Sequence, residues 1–201
     1  YPTIAIFNSM LLKEYFENNH YHFAHSFAFD PVLNDGLRNA LEKIPEQVRK
    51  KKQILVYGRP GTERNAFNLV VAALKKWVFM QPDIEEWEIL SAGEMHRTVA
   101  LGNGKELTSV GKLSIEEYAN MLEESYAGIS LMCSPHPSYP PLEMSVFDVK
   151  TITNTYANKD LKDFNENIIS LDNISPMNIA KHLVEICKSY QTEVRHIAAN
   201  P

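Results

Sequence analysis

From Gln53 to Leu171 the chain repeats one unit: a short apolar run, a turn, and then, in most repeats, a segment with apolar residues at helical spacing. The runs are QILVY (53–57), WEIL (87–90), ELTSVG (106–111), AGISLMC (127–133), VKTIT (149–153) and NIISL (167–171). Each is too short for an ordinary helix and is bounded by turn residues, as a buried strand would be. Between them, Phe67, Val70, Val71, Leu74, Trp77 and Val78 share one helical face. Ser114 and Glu117 form a capping box ahead of Ile115, Tyr118, Met121 and Leu122. Ser175-Pro176 supplies an N-cap and a first-position proline to a helix through Ile179, Leu183, Ile186 and Tyr190. Strands alternating with helices predict an α/β fold, a doubly wound, Rossmann-like parallel sheet of about six strands. Right-handed crossovers then bring the loops GRPGTERN, VGKL and SPHPSYPPLE to one rim, where open α/β sheets bind ligands.

The flanks are less regular. TIAIF (3–7) reads as a strand, and Ser9 as the cap of a helix through Met10, Leu11, Leu12, Tyr15 and Phe16. His20, His22 and His25 lie in an aromatic-rich stretch. Their spacing is not that of a helical ligand pair, and no Cys or acidic cluster accompanies them, so a strand or interface face is the better reading than a metal site. Residues 35–52 are expected to hold a helix on Leu37, Leu41 and Ile44, ending in the basic run RKKK.

Hydrophobic content of 44% and charged content of 22% suit a globular chain, and 201 residues can enclose one large core. A net charge of −5 argues against nucleic acid as the main partner, since phosphate backbones recruit basic surfaces. Cys133 and Cys187 sit in apolar surroundings and read as buried free thiols in a reducing, cytoplasmic compartment. No apolar run approaches the ~20 residues that span a bilayer, and no signal peptide is visible. Tyr1 is not Met and already adjoins an apolar run, so the chain is expected to be cut from a longer protein.

Two of the rim loops carry chemistry. Gly58 and Gly61 permit tight turning and close approach of backbone to a ligand. Arg59 and Arg64 flank a helix N-terminus, an unfavourable place for cations unless an anion lies between them. A diphosphate is the natural occupant, because guanidinium groups match phosphate oxygens in bidentate geometry. Surface arginines paired with Glu63 or another acid explain the loop equally well. The loop is neither a Walker loop nor a dinucleotide fingerprint, which counts against an NAD dehydrogenase. In SPHPSYPPLE the prolines remove backbone donors, and the N–H groups of Ser138, Tyr139 and Leu142 remain. Glu143, about one turn into the following helix, can accept from the two hydroxyls of a ribose. As a helix-start acid it would also be favourable with no ligand at all.

The phrases ILVYGRP, VGKLSIEEYANML and SPHPSYPPLEM together resemble the nucleotide-sugar-binding, C-terminal half of GT-B glycosyltransferases, over about residues 50–190. The resemblance is to the large retaining family that includes bacterial surface-glycan transferases, and within it to rhamnosyltransferases. It implies that Arg59 and Arg64 bind the donor diphosphate as the catalytic pair, and that Glu143 holds the donor ribose. It further implies backbone contacts to phosphate and sugar from Ser138, Tyr139 and Leu142, and a base site at Gly111, Lys112 and Leu113. Gly58 belongs to the same loop as Arg59. Two departures stand out. The family pairs two glutamates with seven residues between them, and the first position here is Pro135, with His136 beside it. The family's basic residue is commonly lysine followed by glycine, and here it is Arg64-Asn65. Loss of the first acid, which contacts sugar hydroxyls, fits a deoxy sugar such as the rhamnose of dTDP-rhamnose, or a weakened activity.

The resemblance implies transfer from a nucleoside-diphosphate sugar to a glycan acceptor in cell-surface polysaccharide biosynthesis. No metal or cofactor is required, since arginines and a helix dipole stand where magnesium would. On this reading residues 1–30 close an N-terminal acceptor domain, 31–190 form the nucleotide-sugar domain, and 191–201 are a tail. A fragment of this kind would bind donor and not turn over alone. The full protein would be cytoplasmic, with peripheral contact at the inner face of the membrane. The rival readings are a non-catalytic nucleotide-binding domain, a nucleotide-sugar epimerase of GT-B architecture, and an interaction domain whose SPHPSYPP loop is a partner-binding turn.

Overall fold

The computed structural model describes residues 2–196. Strands β1 (Ile4–Phe7) and β2 (His25–Ala28) pair in parallel through helix α1 (Met10–Asn18), which Ser9 caps by accepting from the Leu12 N–H. Helix α2 (Asp35–Leu41) follows, then β3 (Gln47–Arg49) and β4 (Lys51–Gly58). Helix α3 (Phe67–Trp77) leads to β5 (Glu88–Gly93), β6 (Val99–Gly102) and β7 (Lys105–Gly111). Helix α4 (Ile115–Glu124) leads to β8 (Ser125–Ile129), α5 (Pro140–Val146) to β9 (Lys150–Asn154), then come β10 (Ile168–Leu171), α6 (Pro176–Lys188) and β11 (Glu193–Arg195).

The central sheet runs β10-β9-β8-β4-β5-β7-β6. The six expected strands are its parallel members, and β6 adds an antiparallel edge against β7. From β4 the chain winds outward to β5 and β7, returns through α4 to β8, and winds the other way to β9 and β10. Strand order therefore reverses between β4 and β8, and the crevice beyond their C-terminal ends is the topological switch point.

Each sheet face buries its own core. On one, Ile54, Val56 and Ile129 meet α3 and α6, with Trp77 and Trp87 edge to face and both fully enclosed. On the other, Leu55 meets Leu122 of α4, Met144 of α5, and Leu37 of α2. Burying side chains of this size stabilises the fold by about 1.5–3 kcal/mol each, which is why near-continuous apolar runs become strands covered on both faces.

Several elements differ from expectation. The helix expected over 35–52 stops at Leu41, because Pro45 disfavours helical backbone in the residue before it, and 47–49 become β3. β6 was not expected, since VALG is short, but Gly102, Asn103 and Gly104 all take positive φ and turn it back onto β7. The run AGISLMC forms ladder pairs only as far as Ile129. Its last residues continue as an extended strap. Residues 193–195 of the expected tail form β11 on β3, and 197–201 lie outside the described residues.

Candidate functional site

A cleft of about 850 Å³ opens at the switch point. Of the residues singled out in the sequence, Arg59, Arg64, Lys112, Leu113, His136, Ser138, Tyr139 and Glu143 all line it. Sequence separation between the first and last of these is wide, and only the parallel winding brings them together.

Arg59 directly follows β4 and is half-buried, whereas Arg64 lies in the 3-10 turn before α3 and is exposed. Neither forms an ion pair or a side-chain hydrogen bond among the described residues, and Lys112 is likewise unpaired. The alternative that the arginines pair with Glu63 or another acid is therefore not what the structure shows. Three cations without a protein carboxylate face one cleft. The Glu94 carboxylate accepts from the Gly61 N–H of the same loop at 3.0 Å. Helix α3 starts beside the cleft with no side-chain cap, from Ala66 in the left-handed region at φ 48°. Cations and an uncapped helix start together favour a bound anion.

Gly58, Gly111 and Leu142 do not line the cleft. A Cβ on Gly58 would stand 1.9 Å from the Ser91 Oγ, so this glycine serves the close packing of β4 on β5. Gly111, at φ 69°, lets β7 turn beneath Met95 into the Lys112–Leu113 loop. Leu142 is in the first turn of α5, behind Pro140 and Pro141, which have no N–H to offer. The Ser138 N–H is not free either: it donates to His136 Nδ1 at 2.9 Å. That bond holds Ser138, buried at 3% exposure, in the left-handed region at φ 69°, at a backbone cost of about 1–3 kcal/mol.

Glu143 is the acid of the cleft, and its N–H donates to the Tyr139 carbonyl. Burial lifts its carboxyl above the ordinary glutamate value of 4.5, opposed in part by the Tyr118 hydroxyl. Tyr118 feels the Glu143 charge, and burial with that charge pushes its own proton loss well upward. The hydroxyl is nevertheless buried without a hydrogen bond of standard geometry. His136 is held below its ordinary value by burial, then by the charges of Lys159 and Arg64. It is therefore neutral at pH 7, consistent with an Nδ1 that accepts.

Sequence reasoning missed the floor of the cleft. Met132 donates to Asn154 Oδ1 at 2.7 Å, Cys133 donates to the Arg64 carbonyl at 2.7 Å, and Asn65 Nδ2 donates to the Leu131 carbonyl at 3.3 Å. These bonds tie the strap after β8 to the arginine loop after β4. Lys159, 1% exposed, donates to the Met132 carbonyl, and burial lowers its pKa to about 8. Asn8, after β1, also lines the cleft. The polar residues in this floor carry no spacing signal. The histidines at 20, 22 and 25 are exposed, away from the cleft-lining set.

Comparison with known proteins bears on the same region. The family model described as WsaF, C-terminal domain, matches residues 52–184. The O-antigen biosynthesis protein RfbC of Myxococcus xanthus is 35% identical over 127 residues, covering 63% of this chain and 10% of that protein. Among solved structures, a glycosyltransferase from Rickettsia africae ESF-5 is similar with a TM-score of 0.60 at 16% identity, over 93% of this chain and 53% of that one. Sucrose-phosphate synthase from Thermosynechococcus elongatus gives 0.59 at 14% identity, over 92% and 53%. A UDP-forming α,α-trehalose-phosphate synthase from Burkholderia vietnamiensis gives 0.60 at 10% identity, over 94% and 52%. The chain thus spans about half of these structures and a tenth of RfbC, and its fold is that of the Rossmann-like C-terminal half of GT-B glycosyltransferases.

Proposed function

Because the chain belongs to the family of WsaF C-terminal domains, we propose that it is the donor-binding half of a glycosyltransferase that builds a bacterial surface glycan. The observation that carries this is the meeting of Arg59, Arg64 and Lys112, all unpaired, with Glu143 in one cleft at the switch point. The volume suits a nucleoside-diphosphate sugar, since small-molecule sites run to roughly 300–1,000 Å³. The family membership and the O-antigen role named for RfbC support a surface glycan as product.

In this reading Arg59 and Arg64 take the diphosphate, with the start of α3 adding N–H groups and a positive dipole end. Glycosyl transfer breaks the bond between the anomeric carbon and the diphosphate, so negative charge grows on the leaving group as the sugar becomes oxocarbenium-like. Preorganised cations stabilise that charge more in the transition state than in the ground state, and removing one such donor typically costs about 3 kcal/mol. Glu143 accepts from the ribose hydroxyls, and the Lys112–Leu113 loop supports the base. The three cations make a metal unnecessary for charge neutralisation. A deoxy sugar such as rhamnose, carried on dTDP, is the donor we favour, because Pro135 stands where the family's sugar-reading acid would be. The acceptor glycan would be held by a second domain, at the inner face of the membrane. No helix among the described residues is long and apolar enough to cross a membrane.

Thermal unfolding with dTDP, UDP and GDP tests the donor site. A ligand at a hundred times its Kd should stabilise the fold by about 2.7 kcal/mol. At least one of the three should raise the midpoint, and a flat response to all three would remove the proposal.

A further inference from the structure

Three buried polar atoms on residues that line the cleft have no partner among the described residues: the Tyr118 hydroxyl beside Glu143, and two of opposite kind on Asn65 and His136. Asn65 is 2% exposed, and its orientation is set because only its Nδ2 can donate to the Leu131 carbonyl. That leaves Oδ1 as the free atom, an acceptor with no hydrogen bond. His136 accepts from the Ser138 N–H through Nδ1, so in the neutral ring Nε2 carries the hydrogen. That donor is buried and unpaired as well. Leaving such groups unsatisfied costs about 1–3 kcal/mol each, so a ligand that satisfies both recovers a substantial sum.

The chemistry of the missing partner follows. Diphosphate oxygens only accept, so the cations and N–H groups of the cleft answer them and Asn65 Oδ1 does not. An orphan acceptor within a cationic site calls for an O–H or N–H on the ligand. Sugar hydroxyls both donate and accept, so the hydroxyls of one sugar ring can answer an orphan acceptor and an orphan donor alike. The two residues are joined through the strap: Asn65 holds residue 131, the Arg64 carbonyl holds residue 133, and the loop then reaches His136. We propose that Asn65 and His136 form a specificity-determining pair that reads the hydroxyls of the transferred sugar. The inference rests on the donor-site reading above and deepens it.

The test is calorimetry on the full chain with dTDP and dTDP-rhamnose, UDP and UDP-glucose, and GDP and GDP-mannose. For at least one pair, the sugar conjugate should bind about tenfold more tightly than its diphosphate, as expected for two hydrogen bonds. Asn65→Leu and His136→Phe should each bring that ratio close to one. Asn65→Asp loses the bond to Leu131 but keeps the acceptor, and His136→Gln keeps a donor, so both should retain part of the ratio. A purely structural role would make Asn65→Asp as damaging as Asn65→Leu. Variants that weaken diphosphate and conjugate equally, or a wild type with no increment in any pair, would overturn the pair. If no diphosphate binds at all, the donor-site reading fails first and this inference falls with it.

Discussion

At the scale of single residues, Glu143 shows how a site's requirement opposes stability. In the proposed role its carboxyl must be charged for both oxygens to accept from the two ribose hydroxyls, yet burial favours the protonated form. The folded-state pKa is raised, so the protonated acid contributes stability that is present below the unfolded value and lost as pH rises through the folded one. Two outcomes follow for Glu143→Gln at neutral pH. Thermal unfolding should shift upward, because a buried charge is gone. Binding of the cognate nucleoside diphosphate should weaken about tenfold at neutral pH and lose the part of its pH dependence that comes from Glu143, leaving that of the ligand's terminal phosphate. Titrations at pH 5, 6 and 7 check the sign. The same affinity and the same pH profile in wild type and Glu143→Gln would show that Glu143 is the plain helix-start acid its sequence position also allows. His136 is a residue that spacing could not assign, since its role depends on a hydrogen bond to Ser138 two positions on.

At the scale of elements, β4 packs on β5 with no room for a side chain at Gly58. The Gly58 backbone conformation is ordinary, so space alone forbids a side chain there: Ser91 Oγ at 1.9 Å and the Phe67 ring at 3.1 Å from a built Cβ. Gly58→Ala should destabilise the chain by about 1–3 kcal/mol in denaturant unfolding, as overpacking does. Adding Ser91→Ala should recover part of that loss, and no recovery would place the strain elsewhere. Strands and helices were legible wherever period and caps agreed, as with the Ser114 capping box and the Ser175-Pro176 start, both of which form. Elements defined by long-range pairing were not. β3 exists because β11 pairs with it from the far end of the chain, and the strap after Ile129 leaves the ladder because side chains of Asn154 and Asn65 take over its backbone groups.

At the scale of the whole molecule, the reversal of winding between β4 and β8 is what makes a site from distant loops. Alternation of apolar runs with helices announces the parallel sheet, and the rim loops then follow from right-handed crossovers. The arginine loop and the proline loop were therefore visible as neighbours before any geometry. What the pattern could not supply is the polar floor joining them, because Asn65, Asn154 and Lys159 act through backbone carbonyls and N–H groups that only the folded strap presents. Residues 2–30 form a βαβ unit with its own two-stranded sheet, joined to the rest by contacts such as Asn158 Nδ2 to the Leu11 carbonyl at 2.8 Å, and Asn8 reaches the cleft. The central claim is that the unpaired cations of this cleft hold a nucleoside diphosphate. Calorimetric titration of wild type, Arg59→Ala and Arg64→Ala with the tightest-binding diphosphate tests it most directly. Hydrogen bonds to charged groups are worth about 1.5–3 kcal/mol, so the half-buried Arg59 should cost roughly ten- to a hundredfold in Kd, and the exposed Arg64 less. Equal affinities for all three proteins, or binding that survives both substitutions together, would contradict the account.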